Sequence, residues 1–138
     1  MKIKVLVVMP GKKVQVVRMS PNIKFIKSFL GDELYKISLN ESNIIIASKN
    51  AKIDEFNRIF RGDIILGTFL IVSVKNNHRV SMKKKDIRKY SNIFKLRKHQ
   101  KRVEALKEEY LEEYYFNQRK LRQKNAERNK QEIFDIAA

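Results

Sequence analysis

The sequence predicts an α+β domain, with an antiparallel or mixed sheet of about five strands and two or three short helices, followed by a long C-terminal helix. Three observations carry this reading. Runs of β-branched residues fill much of the first part of the 138-residue chain and are separated by turn-forming residues. Within that part, Ile23, Ile26, Phe29 and Leu30 recur at helical spacing. From about Leu96 to Ile133 neither Gly nor Pro occurs, and strong helix formers dominate. The expected division is residues 1–95 as the α+β domain and residues 96–138 as the helix.

The elements follow in order. Residues 2–9 read as a strand closed by the turn Pro10-Gly11-Lys12-Lys13, and Val14 to Met19 returns as its hairpin partner. Ser20-Pro21 opens a helix, with Ser as cap and Pro at the first helical position, and Gly31 ends it. Leu34 to Leu39 and Ile44 to Ser48 bracket the turn-rich Asn40-Glu41-Ser42-Asn43 as a second hairpin. Ile53, Phe56, Ile59 and Phe60 suggest a short helix or irregular turn across residues 51–60. Asp63 to Val74, the most apolar run, is expected as one central strand in which Gly67 marks a bulge or a close approach. Ser81 is expected to cap a further short helix through Tyr90.

A helix of about 36 residues would be ~54 Å long, more than a small domain is wide. Val103, Leu106, Tyr110, Tyr114 and Leu121 mark its apolar stripe. Its charge is blocked, at +5 over residues 95–102, −4 over 103–116 and +5 over 117–130. That pattern disfavours a centred antiparallel self-pair and permits either a staggered pair or folding of the acidic middle back on the basic domain. The fold-back is the favoured expectation. It would leave Arg119, Lys120, Arg122, Lys124, Arg128 and Lys130 as a second basic grip.

Net charge is +16, and the first 94 residues carry 19 basic groups against 7 acidic ones. Twelve Lys or Arg lie between Lys75 and Arg102 against one acid, Asp86. They are Lys75, Arg79, Lys83, Lys84, Lys85, Arg88, Lys89, Lys95, Arg97, Lys98, Lys101 and Arg102. Such a band repels itself unless a polyanion neutralises it, and each phosphate so neutralised releases condensed counterions. A compositional explanation competes, since 21 Lys, 16 Ile and 11 Asn suit a genome poor in G and C.

Lys52, Asn57 and Arg58 place an ammonium, an amide and a guanidinium near one loop, a set that could hold a phosphate or stack on a base. The competing reading has Asn57 bonding turn backbone and Arg58 solvated or paired with Asp54. Among the aromatic residues interleaved with basic ones, Tyr90, Tyr115 and Phe116 are expected to be exposed, and Phe25, Phe69 and Phe94 to be core.

Catalysis has little to work with. The chain has no Cys, and His78 and His99, both expected on the surface, lack metal-ligand spacing. Glu104, Glu108, Glu109, Glu112 and Glu113 fit ion pairs along a solvated helix. Pro10-Gly11-Lys12-Lys13 lacks the glycine spacing of a phosphate loop. No cofactor, no metal and no enzyme activity are expected. No apolar run approaches a membrane span, so a cytoplasmic protein without a membrane partner is expected.

The order of landmarks resembles a small family, domain of unknown function 3846, over residues 1–95. Those landmarks are Val8-Met9-Pro10-Gly11-Lys12, Gly31, Asn50, Asn57-Arg58 and Gly62-Asp63-Ile64-Ile65-Leu66-Gly67-Thr68-Phe69-Leu70-Ile71-Val72. Ser81 to Phe94 is similar to the family's closing Ser-Leu-Thr helix and Tyr-x-x-x-Phe segment. Two departures stand out. Lys83-Lys84-Lys85 occupy places where family members tend to be acidic, and Ala51-Lys52 follow Asn50 where the family prefers an acidic-glycine turn. The resemblance implies an α+β scaffold and a setting in phages, plasmids and the bacteria that carry them, but no activity.

The function expected is that of a non-catalytic mobile-element accessory protein in the host bacterial cytoplasm. It would bind RNA, DNA or a host nucleoprotein, with a defence complex such as a CRISPR effector as one target. Two alternatives stand beside it. One is a protein-interaction module whose long helix makes a homodimer or docks on an acidic protein. The other is a sponge that holds an anionic nucleotide between subunits through Arg58 and lysines.

Overall fold

The computed structural model describes residues 1–137, with side chains described for residues 1–124. Arg128 and Lys130, expected in the second basic grip, lie outside the described side chains. Two compact units are distinguished, Met1–Val103 and Glu104–Ala138. The first holds β1 (Ile3–Val8), β2 (Gln15–Met19), α1 (Ile23–Leu30), β3 (Leu34–Ser38), β4 (Asn43–Ser48), β5 (Phe56–Phe60), β6 (Asp63–Leu66), β7 (Phe69–Lys75), β8 (His78–Val80) and α2 (Lys84–Ile93). A long helix, α3 (Leu96–Ala137), begins in the first unit and supplies the second. The α+β class and the long C-terminal helix are as the sequence predicts, with two short helices in the domain.

The main sheet is antiparallel, in the order β2-β1-β7-β4-β3, and β8 pairs the end of β7. Its register aligns Leu6, Ile71 and Ile45 on one row and Val7, Leu70 and Ile46 on the next. Successive rows face opposite sides, so the sheet has two apolar faces, and both are covered. One packs Leu6, Val8, Ile45, Ala47, Phe69 and Ile71 against Ile65, Met82, Tyr90 and Phe94. The other packs Val5, Val7, Ile46, Leu70 and Val72 under Ile26 of α1. Burial on both faces is why the central strands read as unbroken apolar runs rather than as alternation.

Two of the strand expectations are corrected. Residues 51–60 form neither helix nor irregular turn from end to end, because Phe56–Phe60 is strand β5, paired with β6 in a separate two-stranded sheet. The apolar run Asp63 to Val74 is accordingly two strands. Gly67 divides them at φ +72°, and a Cβ there would lie 2.8 Å from that of Ala51, so the close approach foreseen at Gly67 is a break between sheets. The β5–β6 turn puts Arg61 and Gly62 at positive φ, and Asn76-Asn77 does the same between β7 and β8. Both are two-residue turns whose twist suits hairpins.

Helix starts differ as well. Asn22, not Ser20, caps α1, its Oδ1 accepting from the Lys24 N–H at 3.0 Å, while Ser20 Oγ accepts from the Asn22 N–H. Gly31 does end the helix, its N–H donating to the Lys27 carbonyl. Ser81 caps nothing: its Oγ accepts from the Lys4 N–H at 2.9 Å, tying the α2 approach to β1. Lys83 stands at the N-cap without a side-chain hydrogen bond.

The compact unit continues past the expected boundary at residue 95. His99 and Val103, in the first turns of α3, are buried. A chain ended after Phe94 is therefore expected to be less stable than one ended at Leu106 by about 3 kcal/mol, from one orphaned buried N–H and one lost apolar side chain. Chemical denaturation of the two chains measures the difference.

Candidate nucleic-acid interface

The outer face of α2 is built by simple amphipathic logic. Ile87, Tyr90 and Phe94 turn inward onto the sheet, so Lys84, Lys85, Arg88 and Lys89 are left outside. Lys83 precedes them, also exposed, and Asp86, the only acid of the band, is half-buried. Lys95, Arg97, Lys98, Lys101 and Arg102 are exposed on the following turns, with Lys98 Nζ donating to Asn92 Oδ1 at 3.1 Å.

Three hollows run beside this band. The first, about 520 Å³, lies between the β3–β4 turn, the end of β7 and the start of α2, and is lined by Asn40, Ser42, Asn43, Ser73, Lys75, Lys83 and Lys85 together with Glu41 and Asp86. Its floor is held by a string of hydrogen bonds in which Asn40 Nδ2 donates to Tyr90 Oη and Ser73 Oγ donates to Asn43 Oδ1. The second, about 650 Å³, brings Lys75 and Arg79 to Lys36, and the third, about 560 Å³, brings Lys95 and Arg97 to Lys13. Lys36 and Lys13 lie outside the sequence band, and only the strand pairing and the Pro10-Gly11 turn bring them near it. Arg79 is the most fixed of these cations, its Nε donating to the Pro21 carbonyl at 2.6 Å.

Arg119, Lys120, Arg122 and Lys124 are exposed on α3 in the second unit. Lys120 Nζ sits 4.7 Å over the Phe116 ring. Tyr115 and Phe116 are about half exposed, as expected.

Asn57, Arg58 and Tyr90 are not surface groups, and their expected phosphate or base contact is withdrawn. Arg58 is fully buried, and its guanidinium is spent on the chain itself. Nε donates to the Phe94 carbonyl at 2.8 Å, one terminal nitrogen to the Met9 carbonyl and Asn57 Oδ1, and the other to the Lys12 carbonyl at 2.6 Å. Asn57 Nδ2 donates to the carbonyls of Val8 and Gly67. Burial pulls the Arg58 pKa below its ordinary value. The nucleotide-sponge alternative loses its central cation with this residue. Tyr90 is buried under α2 with Lys89 Nζ over its ring at 5.3 Å, so it offers no stacking face. Lys52 is exposed on the turn before β5, its N–H held by Glu55 Oε2. Phe25 also departs from expectation, being 43% exposed on α1 while Phe69 and Phe94 are buried.

His99 is a core residue rather than a surface one. Nδ1 accepts from the Ile59 N–H at 3.1 Å, which leaves Nε2 to donate to the Ile93 carbonyl at 2.7 Å. The ring stacks on Phe94 with centroids 5.9 Å apart. Desolvation lowers its pKa, the hydrogen bond to Ile93 opposes this, and the positive charges of Arg58, Arg102 and Lys98 lower it further. Among the described residues no cluster of His, Asp and Glu could hold a metal ion, and no helix is long and apolar enough to cross a membrane.

The model of the family described as Domain of unknown function (DUF3846) matches residues 1–95. The chain belongs to that family. No curated protein and no solved structure matches it. Several landmarks of this DUF3846 chain converge on one place. Pro10-Gly11-Lys12, Asn57-Arg58, Gly67 and Phe94 are the turn, the donors and the acceptors of the buried network. The segment that matches the family is thus marked by its fold, while Lys83-Lys84-Lys85 sit outside the network on the surface.

Two outcomes are expected. Arg58→Met leaves four acceptors without their donor and should cost more than about 3 kcal/mol in a denaturant titration. The fraction that still folds should bind polyanions as the parent does. For His99, the folded form excludes the proton that the unfolded chain takes up below about pH 6.5. Stability is therefore complete above that pH and falls as pH drops towards the lower folded-state value, by up to ~1.4 kcal/mol per unit. His99→Gln keeps an acceptor and a donor without titrating, and its urea midpoint should change less between pH 7 and pH 5.5.

Proposed function

We propose that this protein binds nucleic acid, or the nucleic acid of a nucleoprotein complex, through the cationic surface formed by α2 and the first turns of α3. The observation that carries the proposal is the arrangement of α2. Five consecutive or near-consecutive cations, Lys83, Lys84, Lys85, Arg88 and Lys89, are exposed together, and their one acid is half-buried. None of the five is buried, and of them Lys89 alone is placed over a core ring, that of Tyr90, so folding supplies little reason for their clustering. Lys75, Lys36, Lys13 and Arg97 in the adjoining hollows add further cations, beside the acids Glu41 and Asp86. Such a surface fits a phosphate backbone, which it would grip by charge rather than by base edge.

The role this suits is non-catalytic. In the mobile-element setting that the family resemblance implies, a small basic protein could occupy the phosphate sites of a host nucleoprotein channel, a CRISPR effector being one such target. The host cytoplasm is the matching compartment.

The test is a binding titration against a fluorescent single strand and a duplex at several salt concentrations. Affinity should fall by roughly 0.7–0.9 log units per log unit of salt for each phosphate contacted. Changing Lys83, Lys84, Lys85, Arg88 and Lys89 together to Glu should remove binding while leaving the thermal midpoint within a few degrees, since exposed positions contribute little to stability. Unchanged binding by that variant, with its fold intact, would remove α2 from the interface.

A further inference from the structure

We infer that α3 pairs with α3 of a second copy of the chain, antiparallel and in a register that sets its acidic middle against the partner's following basic block, through an exposed apolar stripe. Leu106, Tyr110, Tyr114 and Leu121 are each more than a third exposed. The stripe has a stricter order than apolar content alone reveals. Val103 and Tyr114, Leu106 and Asn117, and Tyr110 and Leu121 each stand eleven residues apart. An eleven-residue repeat keeps a stripe nearly parallel to the helix axis, so two such helices can stay in contact with little supercoiling.

Charge selects the partner and the register. Beside the stripe, on one edge, Glu109 and Glu113 are followed by Lys120 and Lys124, all exposed. Their spacing of four, seven and four puts acids at one end of the edge and bases at the other. An antiparallel second copy turns that order round. With Tyr110 opposite the partner's Leu121 and Tyr114 opposite the partner's Asn117, Glu109 faces the partner's Lys124 and Glu113 faces the partner's Lys120. The two-fold axis repeats both pairs. The other edge carries Leu111 and Gln118 with one like-charged pair, Lys107 against the partner's Arg122, so selection rests on the acidic–basic edge.

A nucleic acid does not fit this stretch, because residues 103–116 hold five glutamates against one lysine. A second copy supplies the apolar stripe and the reversed charges at the required spacing. The pairing is independent of the nucleic-acid reading and uses none of the α2 cations.

The experiment is sedimentation of the full chain and of two charge-reversed variants, Glu109→Lys with Glu113→Lys and Lys120→Glu with Lys124→Glu. The parent should be a dimer. Each variant alone has edges of one sign and should dissociate at least about tenfold more readily, whereas an equal mixture should recover the dimer. Register is read by oxidation, since the chain has no Cys of its own. Tyr110→Cys mixed with Leu121→Cys should cross-link, and neither should do so alone. A monomeric parent overturns the pairing. So does cross-linking of each variant with itself, which would mean parallel helices, or failure of the mixture to recover. Circular dichroism of the variants separates lost pairing from lost helix.

Discussion

A guanidinium taken out of water must find acceptors for its donors, and in this domain the acceptors it finds hold four segments together. Arg58 reaches Met9 just after β1, Lys12 in the turn that follows, its own neighbour Asn57 and Phe94, the C-cap of α2. Asn57 adds β1 again and the break at Gly67. No carboxylate takes part. The charge is met by carbonyl dipoles, which are fixed in direction by the backbone and so impose geometry as well as neutral surroundings. The small β5–β6 sheet has no ladder to the main sheet, and this network holds it there together with the packing of Ile65 and Phe60 on the main-sheet core. His99 repeats the device one strand residue further on, joining β5 to the α2–α3 junction. These polar tethers explain why the compact unit closes only at Val103.

Much of this fold was legible in the sequence, and the exceptions share a cause. The β1–β2 and β3–β4 hairpins, the α1 stop at Gly31 and the long helix are set by local patterns, which a sequence displays directly. Strand β5 was not legible because Phe56-Asn57-Arg58-Ile59-Phe60 is buried nearly throughout, polar residues included, and shows neither alternation nor an apolar run. The apolar stretch from Asp63 to Val74 concealed two strands because the break, Gly67-Thr68, is short and lies between apolar runs. Ser20 and Ser81 have the right chemistry for caps but each lies two residues before the N-cap position. Asn22 outcompetes the first, and the Lys4 N–H claims the second.

The candidate site divides in the same way. The cations of α2 could be found by counting, since a helix that buries Ile87, Tyr90 and Phe94 has only one face left for them. Asn57, Arg58, Tyr90 and His99 could not be placed by residue type, because a polar side chain that is wholly satisfied by distant carbonyls looks the same in sequence as one that meets solvent. The signal available was position. Asn57-Arg58 lies between apolar residues on both sides, which favours burial over a loop tip. Lys13 and Lys36 were missed for the opposite reason, being ordinary surface lysines until the sheet register brings them beside the band.

The start of α2 has a further consequence for the domain. It carries Lys83, Lys84 and Lys85 against one acid, Asp86, where a helix dipole favours negative charge and where the N-cap makes no side-chain hydrogen bond to the free N–H groups. The folded state thus contains a small electrostatic penalty that dissolved ions can relieve. Raising ionic strength should make this domain harder to unfold even as it loosens any polyanion held on the same face. Folding and binding draw on the same lysines with opposite sign, and a protein arranged in this way is at its least comfortable when its surface is bare.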